Sequence, residues 1–389
     1  MQSILQTLFN LNNTSYWHPL IWIFGAGIVL YKMPQKTELL GGRLVQRWYW
    51  FTAILLVLPY ILWAGCRTNF IDTSAYIYSF RKMPSTLSAI PGYLASNDKD
   101  QGFSVLSILC KSIGITQYQD FFLLIAVFQM LCIVSTFRKY SENFWISFFL
   151  FVASTDYLSW MHNGIRQFIA VSMIFAAFPL QVKGKYWRFA LVVLLASTIH
   201  GSVLLMLPFA YIMTGPVLNR KTFLMIGGVA LLIPFIDNFL PMLENLLMDT
   251  QYNDVMTNGI WESDDGTNLI RVLVYSVPAL VALLGRKYIR RNTNPVTNLC
   301  INASMITMAI YLISSVTSGI YRWLRLRLPC FIHQAELLTK VNKSKHGVAS
   351  LCATPCFFLV ISERMMCGPL AKGRISAHKI PLHFIKGEV

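Results

Sequence analysis

Arg166 and His200 are the residues of this chain whose types and settings point most directly to chemistry. The run Asn163-Gly164-Ile165-Arg166-Gln167-Phe168-Ile169-Ala170 sets a guanidinium at the mouth of an apolar helix, and a later apolar run carries His200. An ionisable side chain at the edge of a bilayer is costly unless something there needs it, which makes both functional candidates. A guanidinium offers a fork of donors that holds phosphate oxygens bidentately in a partly desolvated place. An imidazole titrates near neutrality and can take a proton from a hydroxyl or give one to a leaving phosphate. The plainer alternative is that such arginines snorkel to lipid headgroups or pair with a nearby carboxylate, as Arg166 could with Asp156, and that His200 only packs between helices.

The elements that must position these groups follow from composition. With 55% hydrophobic and only 13% charged residues, the chain departs far from a soluble globular protein. It reads as an all-α integral membrane protein of about ten or more transmembrane or re-entrant helices with no soluble domain. The stretch from Met1 to His18 lacks a basic leader, so no cleaved signal peptide is expected. The formal charge of +16 sits in short loops between apolar runs, where it sets orientation, and does not point to nucleic acid. The eight cysteines are scattered without zinc spacing, and neither a metal nor a cofactor is expected.

Apolar runs fall near 17–33, 48–66, 119–137, 143–160, 165–182, 222–240, 268–286 and 297–318, with a longer one at 186–213 and a weak one at 348–362. Lys32, Lys36, Arg43 and Arg47 follow the first run. Arg138 with Lys139, then Lys183, Lys185 and Arg188, then Arg286 through Arg291 mark later short loops, all expected on the cytoplasmic side. If 186–213 crossed once, the basic pair Arg220 and Lys221 would face outward and the acidic loop 241–267 inward. Two short helices meeting near His200-Gly201, with the glycine supplying the turn, place both loops on their expected sides. Such a hairpin is re-entrant, and His200 then lies toward the outer half of the membrane.

This topology gathers Arg67, Asp72, Tyr76, Asp156, Arg166 and Arg271 at the outer face, with His162 in a short connection there as a weaker candidate. A lipid-linked diphosphate would present its oxygens at that depth. The outer segment 67–118 is mixed, and its part from Gly102 to Ile115 is amphipathic enough to lie along the interface, either as a lid or as a surface helix. The acidic loop 241–267 is read as solvated.

Four stretches in order, Arg67-Thr68-Asn69-Phe70-Ile71-Asp72-Thr73-Ser74-Ala75-Tyr76, Asp100-Gln101-Gly102-Phe103, Gly164-Ile165-Arg166-Gln167-Phe168-Ile169-Ala170 and Ile199-His200-Gly201-Ser202, resemble the EpsG/Wzy-type polymerases of exopolysaccharide, capsule and O-antigen synthesis. The resemblance covers about residues 45 to 320. It implies a metal-independent glycosyltransferase in the bacterial cytoplasmic membrane with its site facing outward. Such an enzyme moves a growing glycan from its polyprenyl diphosphate carrier onto the next lipid-linked repeat unit, beside a flippase and a chain-length regulator. By position, Arg166 and Gln167 would contact the diphosphate, His200 would be the acid or base, and Asp72 with Tyr76 would line the glycan side. A flippase or exporter of lipid-linked oligosaccharide and an integral membrane acyltransferase are the other classes these residues allow.

After about residue 320 the pattern changes. Residues 318–389 hold 11 Lys and Arg against 3 Glu, and only 348–362 could cross. This tail reads either as a basic surface segment or as the product of an altered reading frame.

Overall fold

The computed structural model describes residues 17–40, 43–68, 70, 72–97, 100–141, 143–153, 161–235, 269–289 and 294–315. Helices dominate, and their positions follow the apolar runs: α1 (Trp17–Tyr31), α2 (Trp50–Gly65), α6 (Tyr118–Tyr140), α7 (Phe144–Ala153), α8 (Ile165–Ala176) continuing into α9 (Phe178–Val182), α10 (Tyr186–Ile199), α11 (Met206–Met213), α12 (Arg220–Leu232), α13 (Leu269–Leu284), the short α14 (Arg286–Ile289) and α15 (Pro295–Ser314). Between α2 and α6 the outer segment folds into α3 (Thr73–Lys82), a single 3-10 turn, α4 (Ile90–Ala95) and α5 (Gln101–Ser112).

Several helix boundaries have a visible chemical cause. Asn219 and Asn294 are N-caps whose side chains accept from the amides of Thr222 and Thr297, and Pro295 fills the first turn of α15. In α6, Asp120 lies in the first turn and Arg138 with Lys139 in the last, each opposite in sign to the helix dipole beside it.

Among the described residues, three helices are long and apolar enough to cross a membrane: Tyr118–Tyr140, Ile165–Val182 and Pro295–Ile313. Six further apolar helices have 10–17 residues. At 1.5 Å per residue these rise less than the roughly 30 Å of a hydrocarbon core, so among the described residues three helices, against the expected ten or more transmembrane or re-entrant ones, are long enough for a full crossing. The expected spans or segments at 241–267 and 348–362 lie outside the described residues.

The basic loop after α1 corrects the all-α expectation. Gln35–Leu40 (β1) and Arg43–Trp48 (β2) pair antiparallel, with Lys36 opposite Arg47 and Glu38 opposite Val45. Arg47, nearly fully buried, donates through Nη1 to the Ser141 carbonyl at 2.8 Å, and Arg138 donates through Nε to the Trp48 carbonyl at 2.9 Å while standing 4.3 Å over the Trp50 ring. These arginines, read from sequence as orientation signals, also staple the hairpin to the end of α6.

Two main cores divide the molecule around the site. The larger runs through α1, α2, α6 to α11 and α15, and its helices approach closely where residues are small. At Gly65 any Cβ would come within 2.7 Å of the Leu123 Cα, so α2 and α6 pack backbone to backbone. A smaller core joins the outer segment to the starts of α6 and α8 through Phe80, Met83, Phe103, Ile108, Phe121, Phe122, Ile125, Ile165 and Ile169. Phe80 stacks on Phe121 at 4.4 Å. Withdrawing Phe80 and Phe103 from water is worth roughly 2 to 3 kcal/mol each. Lys111 of α5 donates to the carbonyls of Phe80, Arg81 and Met83, capping the C-terminal end of α3. The segment from α3 to α5 is thus a packed layer over the starts of α6 and α8.

The run 186–213 breaks where expected. Helix α10 ends at Ile199, His200 is extended (φ −156°, ψ 115°), and a 3-10 turn over Gly201–Leu205 leads into α11. The described glycines with left-handed φ are Gly114, Gly184 and Gly215, so the break comes from the extended backbone of His200 and not, as expected, from the conformational freedom of Gly201. Beyond α11, Asn302 in the first half of α15 donates to the Met213 and Pro216 carbonyls and accepts from the Leu218 amide, fixing the chain as it leaves this pair of helices.

Candidate functional site

Helix α8 begins at Ile165, directly after Gly164, and its first turn aims Arg166 into the seam between the two cores. Its start is fixed from three sides. From α6, the buried Gln129 donates to the Ile165 carbonyl at 3.4 Å. From α3, the Tyr76 hydroxyl donates to the Asn163 carbonyl at 3.0 Å, and the Asp72 amide meets Asn163 Oδ1 at 3.4 Å. From the 3-10 turn after His200, Ser202 meets Gln167 Nε2 at 3.4 Å.

Arg166 itself is held by the outer segment. Its Nη1 donates to Asp100 Oδ2 at 2.8 Å, and its guanidinium carbon lies 5.7 Å from the Tyr76 ring and 5.5 Å from the Phe103 ring. The side chain keeps 34% exposure, whereas that of Asp100 keeps 8%. The second oxygen of Asp100 lies 3.6 Å from His200 Nδ1, just beyond hydrogen-bond reach and close enough to pair with the ring when it is protonated. His200 retains 22% exposure. One carboxylate therefore bridges the two groups that the sequence singled out.

The backbone at Asp100 is unusual. It adopts the left-handed conformation (φ 50°, ψ 46°) at the N-cap position of α5, yet its side chain caps nothing there. An aspartate so placed ordinarily accepts from the amides of its own helix. Here both oxygens face Arg166 and His200 instead. Two residues on, Gly102 lets α5 press against α10: a Cβ there would come within 2.8 Å of the Thr198 carbonyl carbon. This close approach brings Asp100 to the end of α10, beside His200.

Electrostatics at Asp100 balance opposed effects. Burial alone would raise its carboxyl, but His200 and Arg166 together outweigh burial and hold it below the usual carboxylate range. Burial also raises the Tyr76 phenol, against the pull of Arg166. The carboxylate is ionised at neutral pH, and the guanidinium, one third exposed, has five N–H donors, of which Nη1 meets Asp100.

The structure brings together Arg166, His200 and Tyr76, and ties Gln167 and Asp72 to the same corner. Gln167 is buried, and its amide is spent on Ser202; the Asp72 residue is exposed. Arg67 is 3% exposed, donates through Nε to Thr73 Oγ1 at 3.2 Å at the start of α3, within electrostatic reach of Tyr76, and stands 4.4 Å from the Phe122 ring. His162 is buried against the rings of Trp63 and Phe70. Arg271 falls in the first turn of α13, its side chain outside the described residues, and Asp156 lies outside them altogether. Asp100 and Phe103 were not singled out by sequence reading, although Asp100-Gln101-Gly102-Phe103 was one of the four stretches that carried the resemblance; a carboxylate ahead of a glycine and an amphipathic helix was the available signal.

Among the described residues no group of three or more His, Cys, Asp or Glu could hold a metal ion. What the corner can offer is an open guanidinium face for an anion, the positive end of α8 beside it, and an imidazole within reach of the same space.

Comparison with known proteins gave no match among curated proteins and none among solved structures. A family model does match, over residues 49–365, which takes in all four stretches and runs past residue 320, where the sequence reading had the resemblance end. Apolar helices and a match over most of its length agree: this chain belongs to the EpsG family, the family of Wzy-like exopolysaccharide polymerases.

Proposed function

We propose that this chain polymerises polyprenyl-diphosphate-linked oligosaccharide repeat units into a surface polysaccharide at the outer face of the bacterial cytoplasmic membrane. The observation that carries this reading is the convergence of Arg166 and His200, from separate helices, on one partly open corner of a family member. The open donors of Arg166 suit the diphosphate of the donor lipid, held in a place where water is partly excluded and the pairing is strengthened.

In the transfer, a hydroxyl at the non-reducing end of the incoming repeat unit attacks the anomeric carbon of the growing glycan. The new carbon–oxygen bond forms as the bond to the diphosphate breaks, and polyprenyl diphosphate leaves with the electron pair. His200 takes the hydroxyl proton. Arg166 stabilises the charge that accumulates on the departing diphosphate, an interaction stronger in the transition state than before it. Nothing in this scheme needs a metal. Tyr76 and Asp72 flank the glycan side, and Gln167, through Ser202, holds the turn that carries His200.

The test is the glycan length ladder of cells lacking the protein, complemented with wild type, Arg166→Ala or His200→Ala at matched membrane levels. Wild type restores the long ladder, and both variants leave single units on their lipid carrier, with at least roughly 100-fold less polymer if general acid–base and anion stabilisation are lost. Units retained on the cytoplasmic side would favour a flippase. Altered decoration at unchanged length would favour an acyltransferase. A ladder indifferent to the protein would overturn the polymerase reading.

A further inference from the structure

We propose that Asp100 is a positioning residue for the transfer: it orients the imidazole of His200 and anchors one edge of Arg166, and it stays in place while the diphosphate binds the other edge. This deepens the polymerase reading and rests on it.

The geometry separates the two oxygens by task. Oδ2 accepts from Arg166 Nη1 at 2.8 Å, and with the Arg166 side chain 34% exposed its planar fork has further N–H donors to offer. Oδ1 faces His200 Nδ1 at 3.6 Å, and both of these atoms are buried without a hydrogen-bond partner in the resting structure. Buried polar atoms left so are uncommon in proteins and frequently mark sites that tighten when a ligand binds. When a hydroxyl proton moves to the ring, the imidazolium that forms meets a carboxylate already aligned with its Nδ1 side. The general logic is that of a base held and stabilised by a third group.

The fold has arranged for this placement at some expense. A left-handed backbone at a non-glycine residue and a forgone helix cap both oppose Asp100 where it stands. Strain of that kind persists only when its surroundings over-determine it, and functional sites are where it collects. The surroundings here are Phe103 in the small core and Gly102 pressed on Thr198. With its side chain 8% exposed and its helix so seated, Asp100 is not built to swing aside for an incoming diphosphate.

The orienting carboxylate comes from the outer segment, while the cation and the base come from the membrane helices. Catalytic competence therefore depends on a contact between two layers.

The experiment uses the full-length protein in lipid nanodiscs with purified lipid-linked repeat units, following the initial rate of the two-unit product. Asn at position 100 keeps the shape and tolerates the left-handed backbone, so Asp100→Asn removes the charge alone. Turnover is expected to fall roughly 10- to 100-fold, part of what acid–base catalysis supplies, with KM for the lipid-linked units within about twofold. Asp100→Gly, also at home in this conformation, carries the same test if the Asn variant does not accumulate. Unchanged turnover in the Asp100 variants, with Arg166→Ala and His200→Ala inactive, overturns the inference and leaves the polymerase reading intact. A rise in KM at unchanged turnover overturns the orienting role as well, since it makes Asp100 a support for binding only. Full activity in Arg166→Ala and His200→Ala would instead overturn the reading on which the inference rests.

Discussion

Arg166 and His200 could be recognised from residue type and depth in an apolar run, because an ionisable group there is expensive wherever the chain goes next. Asp100 could not, for its two partners lie 66 and 100 positions away, and only the closure of the outer segment over α8 and α10 makes them neighbours. Asp100 also sets a pH dependence with a definite sign. Its folded carboxyl is held below the unfolded value of about 3.9, so its stabilising contribution is complete above that value and is lost as pH falls through the lower, folded one. The difference in melting temperature between wild type and Asp100→Asn in nanodiscs should therefore persist from about pH 8 to 5 and shrink only below about pH 4. A difference that instead disappears between pH 7 and 5 would mean that the carboxylate is not ion-paired as described.

Helix positions were legible because apolar runs, asparagine caps and end charges agree with one another at α6, α12 and α15. The β1–β2 hairpin was not read, although Gly41-Gly42 lies between the two strand sequences as a turn signal; the basic residues around it were taken only as a loop's charge. Close approach between elements is also invisible in one dimension. Gly102 is the case that matters, because the Thr198 backbone lies where its Cβ would be. Replacing it with alanine should push α5 away from α10 and separate Asp100 from His200. Gly102→Ala is expected to lose roughly 10-fold or more of its transfer rate, in line with a 1 Å misplacement of a catalytic group, while membrane levels and helical content stay near wild type. Wild-type rates in that variant would show that the contact does not position the site.

Across the whole molecule, the site and the basic loops occupy opposite ends of α6 and α8. Phe121, Phe122 and Ile165 join the outer segment at one end, and Arg47, Arg138 and Ser141 meet at the other. That separation gives the charge rule a geometric counterpart and a test. With the eight native cysteines replaced by serine, a thiol introduced at an exposed position can be followed alone. In intact cells or spheroplasts, an impermeant maleimide should label Leu87→Cys, and it should reach Lys185→Cys only after permeabilisation. The reverse pattern would turn the site toward the cytoplasm and end the polymerisation scheme as drawn.

The smaller core holds a consequence of its own. It packs the segment that carries Asp100 and Phe103 onto the starts of α6 and α8, where Ile165 and Ile169 flank Arg166. Subglobal opening of this unit would dissolve the constellation while every membrane crossing stays folded. Heat inactivation and heat denaturation of such a protein are then two events, and the first is governed by a handful of phenylalanines in the smaller core.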